Sequence, residues 1–497
     1  MRLLRILAAA LAVLAATAAV LYWGIGYRVQ LNGFGRPRIV RVQPPEAALA
    51  ALETHRATQR AGSPSSSTEV TTPQAPAPGE RAPSTAPEAV PPETAVAAPA
   101  PPVERAAIVS APPYWTGFRG PLRDGTYRQS SIRTDWPPEG LTPIWKQPVG
   151  GGYASFAIAH GHAFTIEQRR AQEVVTAYDV ATGRELWAHG WDAAFREWMG
   201  GDGPRATPTW FDRHVYALGA TGELRSLEAR SGRLVWRVNI LEDNGAANLQ
   251  WGMAASPLVL EDEVVVLPGG PNGRSIVAYD RHTGARRWSA LDDKAAYSSP
   301  MLVTLGGQPQ ILAITAKRLV ALVPGTGALL WEFPWITGND IHASQPVLLG
   351  DDRILLSSSY GRGAAVIEVT RQDGGFSVEP VWEHNRLKNR FSSSVVHEGF
   401  IYGLDENILT CIDAGTGAVK WKGGRYGHGQ FLLAEGHLIV LSEDGELALV
   451  RATPARHEEI VRFPVLEGKT WNHPALDSGR LLVRNLAQMA AFDLRAN

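Results

Sequence analysis

Cysteine is almost absent from this 497-residue sequence, since Cys411 is the only one. A single cysteine cannot form an intramolecular disulfide and cannot supply a metal site that needs several thiolates. The charges also nearly cancel, because 48 Lys and Arg residues stand against 49 Asp and Glu residues. Nucleic-acid binding usually depends on an excess of positive charge opposite the phosphates, so the composition argues against that class of partner.

Common catalytic signatures are missing as well. The sequence contains no Gly-x-Ser-x-Gly, no His-Glu-x-x-His and no Gly-x-x-x-x-Gly-Lys-Ser/Thr. These patterns would mark a nucleophilic serine, a zinc protease and a phosphate-binding loop. With 44% hydrophobic and 20% charged residues, the chain is nevertheless typical of a folded protein, and its length predicts one large domain with an additional segment.

The first 27 residues form a candidate membrane anchor. An uncharged run from Ile6 to Tyr27 follows Arg2 and Arg5, and at about 1.5 Å per residue it is long enough to cross a bilayer core of about 30 Å. Aromatic residues such as Trp23 end the run, which favours a retained anchor over a signal peptide cleaved after Ala18, although both remain compatible. Four arginines follow the run and argue against the export that we otherwise expect.

Residues 28–112 are predicted to form a disordered linker. From Ser63 onward, Pro, Ala, Ser, Thr and Glu follow in irregular order, and such a segment buries too little apolar surface to offset its ordering entropy. A short helix is predicted over 46–60, where Pro44 and Pro45 precede an Ala- and Leu-rich run. An extended Pro-rich chain spans about 3 Å per residue, so the linker either carries the domain far from the membrane or acts as a passive tether.

A Thr-Gly-x-x-x-Trp unit repeats through the rest of the chain. A period of about 40 to 50 residues indicates the blades of a propeller or the units of a solenoid. We expect the large residue that ends each unit to pack between neighbouring blades. These eight positions are Trp145, Trp187, Trp236, Trp288, Trp331, Trp382, Trp421 and Phe463.

The ends of the repeat region predict how the ring closes. The chain finishes with only three strands of alternating pattern after Trp471, and a missing outer strand is available at Thr142–Lys146. Sharing one blade between both ends would remove the open edges of a partial ring. The sequence therefore predicts an all-β fold, an eight-bladed β-propeller of four-stranded antiparallel blades over residues 141–497, preceded by a lead-in segment at 113–140.

The lead-in carries a resemblance to a known family. Residues 115–125 read Trp-Thr-Gly-Phe-Arg-Gly-Pro-Leu-Arg-Asp-Gly, which is similar to the lead-in of a bacterial subgroup of PQQ-binding-like β-propellers. The repeat resembles the same superfamily over about residues 114–497. This superfamily includes quinoprotein alcohol dehydrogenases and the BamB lipoproteins of outer-membrane protein assembly, so the resemblance implies the fold and leaves the activity open.

The resemblance also implies what a dehydrogenase of this type would contain. It would need a vicinal disulfide over the quinone, a Ca²⁺ ion held by carboxylate and Asn side chains, and a catalytic Asp. The single cysteine excludes the vicinal disulfide, and no Cys-x-x-Cys-His haem motif is present. We therefore expect no cofactor, neither PQQ nor Ca²⁺, and no catalytic or metal-binding residues.

Binding residues are expected where the outer strand of one blade connects to the inner strand of the next. These connections crowd one face around the central channel, and aromatic, Arg and His residues there predict a binding funnel. The same residues could instead only fill the channel mouth, and two histidines alone are weak evidence for zinc. The candidates are Tyr153, Trp198, Arg205, Trp251, Tyr297, His342, Lys388, Arg390, His428, Trp471 and His473.

The connections also differ in charge. Those of the first half carry mostly acidic residues, namely Asp192, Glu197, Asp202, Glu242, Asp243, Asp292, Asp293 and Asp340. Those of the second half carry the basic residues Arg386, Lys388, Arg390, Lys422, Arg425 and Lys469. Complementary charge on a partner would set its orientation and association rate, whereas a solvated rim would need no partner.

Two functions follow from these features. The first is a non-catalytic, membrane-tethered scaffold, similar in role to the BamB lipoproteins, that binds partner proteins of the bacterial cell envelope with its propeller on the periplasmic side. The second is a divergent PQQ-dependent or sugar- or quinone-binding oxidoreductase, with a small molecule in the channel. The tether, the missing dehydrogenase markers and the polarised loop face favour the first.

Overall fold

The computed structural model describes residues 27–31, 37–41, 45–61 and 113–496, together with the single positions 13, 14, 17 and 20. The predicted anchor over 1–27 and the Pro-rich segment 62–112 lie almost entirely outside the described residues. Within the described residues, no helix is both long and apolar enough to cross a membrane.

Eight four-stranded antiparallel sheets form the blades of a β-propeller, which confirms the predicted fold class and blade count. From inner to outer edge, the strands of blades 1 and 2 are Ala157–Ala159, His162–Arg169, Gln172–Asp179, Glu185–Asp192, then Thr209–Phe211, His214–Leu218, Glu223–Glu228, Leu234–Asn239. Those of blades 3 and 4 are Leu258–Val259, Glu263–Val266, Ile276–Asp280, Arg286–Ala290, then Met301–Leu305, Gln308–Ile314, Arg318–Leu322, Leu329–Pro334. Blades 5 and 6 consist of Val347–Leu349, Arg353–Ser358, Gly363–Gln372, Gly375–His384, then Val395–His397, Phe400–Asp405, Ile408–Asp413, Val419–Arg425. Blade 7 consists of Gln430–Ala434, His437–Leu441, Glu446–Arg451 and Glu459–Pro464.

Blade 8 joins the two ends of the propeller. Its first three strands are Ala475–Asp477, Arg480–Arg484 and Gln488–Asp493, and its outer strand is Trp145–Pro148 from the beginning of the repeat region. Trp145 pairs antiparallel with Ala491 in this sheet. The predicted closure is therefore confirmed, with the outer strand beginning three residues later than expected.

Apolar side chains fill the space between neighbouring blades, so the core is divided into layers around the ring. One layer joins Leu356 of blade 5 to Leu312 of blade 4, and another joins Leu404 of blade 6 to Leu438 of blade 7. The largest layer joins blades 7, 8 and 1 and also includes Trp115 and Trp136 of the lead-in. Because each layer needs both of its blades, the ring is stabilised as a whole.

The repeated glycine and tryptophan meet across the blade boundary. The glycine of one unit lies on the indole of the preceding blade, as Gly232 does on Trp187 and Gly183 on Trp145. The indole N–H of Trp187 donates to the carbonyl oxygen of Ala229 in the next blade at 2.9 Å. The repeat therefore has an architectural role, because each unit supplies a glycine to the contact with the preceding blade and a tryptophan to the contact with the next blade.

A helix at Pro45–Ala61, over the segment where the sequence suggested one, packs on the outside of the propeller. We call it the docked helix. It covers the boundary between blades 8 and 1, where Leu52 and Arg56 are buried. Arg56 donates to the carbonyl oxygen of Pro148 at 3.2 Å and to the Tyr178 hydroxyl at 3.1 Å, and it lies 3.3 Å from Glu185.

A two-stranded antiparallel hairpin precedes the docked helix, with strands Tyr27–Leu31 and Pro37–Arg41. The linker predicted over 28–112 thus contains regular structure, part of which contacts the propeller. A second, short helix at Ile240–Asn244 lies between blades 2 and 3, and the Asn239 side chain caps it by accepting from the Leu241 and Glu242 amides.

Candidate functional site

A cavity of about 380 Å³ opens on the face where outer strands connect to the next inner strands. Residues from the connections that enter blades 1 to 6 and blade 8 line it, together with Gln430 of the blade 7 inner strand, Phe118 of the lead-in and Tyr360 from a turn within blade 5. The lining side chains are mostly aromatic or small, with two arginines among them. They belong to Phe118, Tyr153, Met199, Arg205, Trp251, Ser256, Tyr297, Ser299, Ile341, Ala343, Tyr360, Arg390, Phe391, Gln430, Trp471 and His473.

The lead-in segment closes the far end of the channel. Its backbone pairs with inner strands, since the Ile158 amide donates to the Trp115 carbonyl and the Trp210 amide donates to the Thr116 carbonyl, both at 2.7 Å. A short strand, Thr126–Tyr127, pairs parallel with the inner strand of blade 7. The cavity is therefore open on one face and closed on the other by the lead-in.

Two buried arginines fix the lead-in across the channel. Arg119 donates to the carbonyl oxygens of Ser394 and Asp124 at 2.8 and 2.9 Å, and burial lowers its pKa to about 10. Arg123 donates to the carbonyl oxygens of Ser256 and Pro300 at 3.0 and 2.7 Å, and burial lowers its pKa to about 9. Both guanidinium groups remain charged near neutral pH and add positive charge below the cavity.

Phe118 and His473 form the floor of the cavity. Their rings meet edge to face with centroids 5.8 Å apart. The His473 Nε2 atom lies 3.3 Å from the Arg119 guanidinium, and burial together with that charge lowers the pKa of His473 to about 3. His473 is therefore neutral at physiological pH, so it contributes surface but no positive charge to the cavity.

Aromatic side chains form the cavity walls. Tyr153 stacks on Trp471 with a centroid distance of 5.3 Å, and Phe391 packs against Trp471 with a centroid distance of 4.6 Å. Trp251 and Tyr297 meet at 5.6 Å on another part of the wall. Such a wall offers flat apolar contact to a ligand.

Arg205 is enclosed beside this wall. Its guanidinium donates to the carbonyl oxygens of Gly203 and Gly201 at 2.6 and 2.7 Å, and it lies over the rings of Phe195 and Tyr153 at 4.9 and 5.4 Å. Burial lowers its pKa. In the described part of the chain, Arg205 forms no ion pair within 4.0 Å.

Lys469 is a second cation beside Tyr153, with its ammonium group 5.8 Å from the centroid of that ring. Its ammonium group donates to the Gly200 carbonyl oxygen at 2.7 Å, which also accepts from the Tyr153 hydroxyl at 2.5 Å. The same ammonium group lies 4.0 Å from the centroid of the Trp471 ring. Burial lowers the pKa of Lys469 to about 8.

A belt of hydrogen bonds joins successive blades around the channel. In most of its steps, a Ser or Thr hydroxyl that precedes an inner strand accepts from the equivalent backbone amide of the preceding blade. The bonds run from the amides of Ser155, Thr207, Ser256, Ser299 and Gln345 to the side chains of Thr207, Ser256, Ser299, Gln345 and Ser393, at 2.9 to 3.2 Å. Since these bonds use the oxygens as acceptors, the hydroxyl hydrogens stay available as donors.

Seven of the eleven predicted binding residues line the cavity together. They are Tyr153, Arg205, Trp251, Tyr297, Arg390, Trp471 and His473. The positions of the other four are different. Trp198 lies on the loop before blade 2 and is 80% exposed, while Lys388 lies 3.2 Å from Asp405.

The remaining two candidates are buried histidines. His342 lies behind the cavity wall, where its Nδ1 atom is 3.0 Å from the Ser358 hydroxyl, and burial lowers its pKa to about 4. His428 packs against Phe391 at 5.1 Å, and burial lowers its pKa to about 3. Among the described residues, no group of three or more His, Cys, Asp or Glu side chains is placed to hold a metal ion.

Sequence reasoning missed four important lining residues. Phe118 belongs to the lead-in, Tyr360 to a turn inside blade 5, and Gln430 to an inner strand, while Phe391 directly follows the predicted Arg390. The sequence does carry a usable signal for three Ser and Thr residues of the belt. Thr207, Ser256 and Ser299 each precede a proline at the start of an inner strand, which marks equivalent positions in successive blades.

The predicted division of charge on the loop face is reduced by local ion pairs. Lys388 and Lys422 both pair with Asp405, and Arg390 lies 3.9 Å from Glu406. These acids lie in a turn inside blade 6 that reaches the same face. On the acidic side, Asp293 pairs with Arg318 at 2.8 Å and Asp340 with Lys317 at 2.7 Å. Arg386 and Arg425 remain exposed.

Comparison with protein families identifies a related group. A family model described as "Outer membrane protein assembly factor BamB" matches residues 171–423, which is about half of the chain. The chain is 22% identical over 258 residues to the outer membrane protein assembly factor BamB of Yersinia pestis, covering 49% of this chain and 63% of that protein. It is also 22% identical over 313 residues to the same-named protein of Bordetella pertussis, covering 60% and 72%.

Solved structures of two functional classes share the fold. BamB from Moraxella catarrhalis superposes with a TM-score of 0.52 at 17% identity, covering 72% of this chain and 98% of that one. The quinohemoprotein alcohol dehydrogenase of Comamonas testosteroni superposes with a TM-score of 0.56 at 13% identity, covering 78% and 81%. At these identities the likeness shows the fold alone, and it does not choose between the two classes.

Proposed function

This chain belongs to the family of the outer membrane protein assembly factor BamB, and from that membership we propose that it is a non-catalytic scaffold that docks partner proteins in the bacterial cell envelope. The partners we propose are proteins that take part in outer-membrane protein assembly. The family match over residues 171–423 is the observation that carries this proposal.

The exposed part of the loop face supports a docking role. Trp198 is 80% exposed and Ile336 is 54% exposed, although both belong to connections around the cavity. Exposed tryptophans on a rigid scaffold are frequent centres of protein interfaces. We therefore propose that Trp198 inserts into a partner.

Charge on the same face would orient the partner. Arg386 and Arg425 are exposed on one side, and Asp202, Glu242 and Asp243 are exposed on the other. Charges at the rim of an interface change association rate and specificity more than affinity. The partner should therefore present an acidic patch towards blade 6.

A pull-down from envelope extracts tests this role. Trp198→Ala, and separately Arg386→Glu with Arg425→Glu, should each reduce partner recovery several-fold. The control is Arg230→Glu, which reverses one charge at an exposed position in a turn on the opposite face. Equal recovery with all variants, or no envelope protein recovered at all, would contradict the docking role.

The propeller is proposed to lie on the periplasmic side of a membrane, held there by the N-terminal segment. The relatives' names associate them with the outer membrane, and this supports an exported location for the chain. The docked helix brings residues 45–61 onto the propeller itself, so residues 28–44 set the distance between the N-terminal segment and the propeller.

The oxidoreductase alternative has less support from the cavity. No Asp or Glu is among the described residues that line it, and the only cysteine, Cys411, is buried in blade 6, where burial raises its pKa to about 11. This donor set does not fit a quinone site with Ca²⁺ and a disulfide. We therefore propose that the chain needs neither PQQ nor Ca²⁺. A thermal shift with both, together with dye reduction by alcohols or sugars, would reverse this proposal.

A further inference from the structure

The cavity combines positive charge with flat apolar walls. Arg205 and Arg390 line it, and Arg119 and Arg123 lie below its floor. We propose that it binds an organic anion, specifically a carboxylate attached to a flat apolar body. This ligand class extends the docking role, and its binding does not depend on any envelope partner.

The electrostatic case rests on incomplete neutralisation. Arg119 and Arg123 donate to backbone carbonyl oxygens, and Arg205 does the same. Arg390 has a carboxylate nearby, with Glu406 at 3.9 Å. Glu197 and Asp202 act on the charge of Arg205, and Glu443 acts on the charge of Lys469, but no Asp or Glu is among the described residues that line the cavity. Carbonyl oxygens satisfy the N–H groups of Arg119, Arg123 and Arg205 but carry no full negative charge, so positive charge inside the cavity is left for an anion to neutralise.

The hydrogen-bond donors of the cavity favour the same ligand. The Ser256 oxygen accepts from the Thr207 amide, and the Ser299 oxygen accepts from the Ser256 amide, both at 2.9 Å. Their hydroxyl hydrogens are therefore available to a ligand in the cavity that both residues line. Hydroxyl and guanidinium donors together suit a carboxylate better than a cation or a neutral hydrocarbon.

The shape of the cavity limits the rest of the ligand. The lead-in closes one end, so a ligand enters from the loop face and stops at Phe118. Trp471 with Tyr153, and Trp251 with Tyr297, form aromatic walls. A volume of about 380 Å³ is at the small end of cavities that hold small molecules or single side chains with a terminal carboxylate.

Binding of 2-naphthoate to the full chain, purified in detergent, tests the proposal by isothermal titration calorimetry. The neutral isostere 2-naphthamide should bind at least about tenfold more weakly, because it cannot use the charge of the arginines. Arg390→Gln and Arg205→Gln should each weaken 2-naphthoate binding by a similar factor while leaving 2-naphthamide nearly unchanged.

The matched control is Lys294→Gln, which removes a positive charge from an exposed position on the connection that carries Tyr297. It should leave 2-naphthoate binding unchanged. Thermal unfolding of each variant shows whether a loss of binding reflects a loss of fold. Equal binding of acid and amide, or an equal loss in the Lys294 variant, would overturn the proposal.

A second set of titrations distinguishes a free metabolite from the C-terminal end of a protein chain as the ligand. A short flexible peptide that ends in tyrosine is titrated as the free acid and as the C-terminal amide. Binding of the free acid alone, lost in Arg390→Gln, assigns the cavity to a chain terminus, and binding of 2-naphthoate alone assigns it to small molecules. Absence of binding for 2-naphthoate and for the free-acid peptide at millimolar concentration would rule the site out.

Discussion

At the scale of single residues, the repeated glycine is needed for two separate reasons. Gly232 has a backbone φ of 72°, a left-handed conformation that favours glycine. A Cβ atom at this position would also lie 2.5 Å from Cε3 of the Trp187 ring in the preceding blade. The first reason is local and visible in the turn sequence, whereas the second depends on how two blades meet.

Gly232→Ala should therefore destabilise the propeller by roughly 3 kcal/mol, from backbone strain together with overpacking. Gly307→Ala is the matched control, because Gly307 has a φ of 73° and a Cβ atom at this position would have no heavy atom within 4 Å. Gly307→Ala should lower the free energy of unfolding by about 1 kcal/mol, because only backbone strain is introduced. Denaturant unfolding of both variants measures the difference, and equal costs would show that the contact between blades adds nothing.

A buried carboxyl group in blade 1 gives a pH dependence with an unusual sign. Glu173 is fully buried and accepts from the Ala220 amide at 2.8 Å, and burial raises its pKa to about 7. The unfolded chain loses this proton near pH 4.5, so between about pH 4.5 and 7 the folded state binds more protons than the unfolded state. Stability from this group is present below pH 4.5 and falls as the pH rises to 7.

Glu173→Gln should abolish the fall in stability between pH 4.5 and 7. Relative to the unmodified chain, the variant should gain stability on the order of 2 kcal/mol at pH 8 and little at pH 5. Urea unfolding at both pH values measures the two differences. A variant that gains the same stability at both pH values would show that Glu173 is not protonated in the folded state.

At the scale of elements, the alternation of apolar and polar residues and the turn residues are sufficient to locate the strands of most blades. The strands His214–Leu218 and Glu223–Glu228 illustrate the reason, because a buried pair of strands joined by a tight turn leaves a strong local signal in the sequence. The propeller topology also accounts for the seven predicted binding residues that line the cavity. These residues lie on connections that begin and end at strands the sequence already locates.

The lead-in and the docked helix could not be placed from local sequence. Arg119 contacts the Ser394 carbonyl, 275 residues away, and Arg56 contacts Tyr178, 122 residues away. Such contacts depend on the finished ring, and a single sequence carries no pattern that specifies them. For the same reason, the pairing of Lys388 with Asp405 was not foreseen, since a turn of the next hairpin brings the acid to that face.

The docked helix should be released by Arg56→Ala. Arg56 completes a buried cluster with Glu185 and Glu167. Burial would raise the pKa of Glu167, but Arg169, Arg484 and Arg56 lower it to about 2. Removing one partner of such a cluster leaves a buried charge without full compensation. Amide hydrogen exchange over 45–61 should accelerate at least tenfold, while the blade strands stay protected.

Thr54→Ala, at an exposed position of the same helix, is the control and should leave exchange over 45–61 unchanged. If Arg56→Ala also leaves exchange over 45–61 unchanged, Leu52 and the remaining contacts hold the helix without the arginine. If instead the whole propeller exchanges faster, the cluster supports the boundary between blades 8 and 1 rather than the helix.

At the scale of the whole molecule, the docked helix changes what the Pro-rich segment does. Residues 62–112 connect one site on the propeller, the end of the docked helix, to another, the start of the lead-in. They therefore do not lie between the N-terminal segment and the propeller, and their length does not set that distance. The 17 residues from 28 to 44 span at most about 60 Å when fully extended, and the hairpin within them shortens this reach.

The side of the membrane on which the propeller lies can be measured by using the single cysteine. Cys411 is buried and burial raises the pKa of its thiol to about 11, so it should react very slowly with maleimides in the folded chain. Asp351→Cys introduces an exposed thiol in a turn of blade 5. For a periplasmic propeller, a membrane-impermeant maleimide should label this variant in cells with a permeabilised outer membrane and leave the unmodified chain unlabelled. Labelling that requires disruption of the inner membrane would place the propeller in the cytoplasm, and envelope partners beyond that membrane would then be excluded.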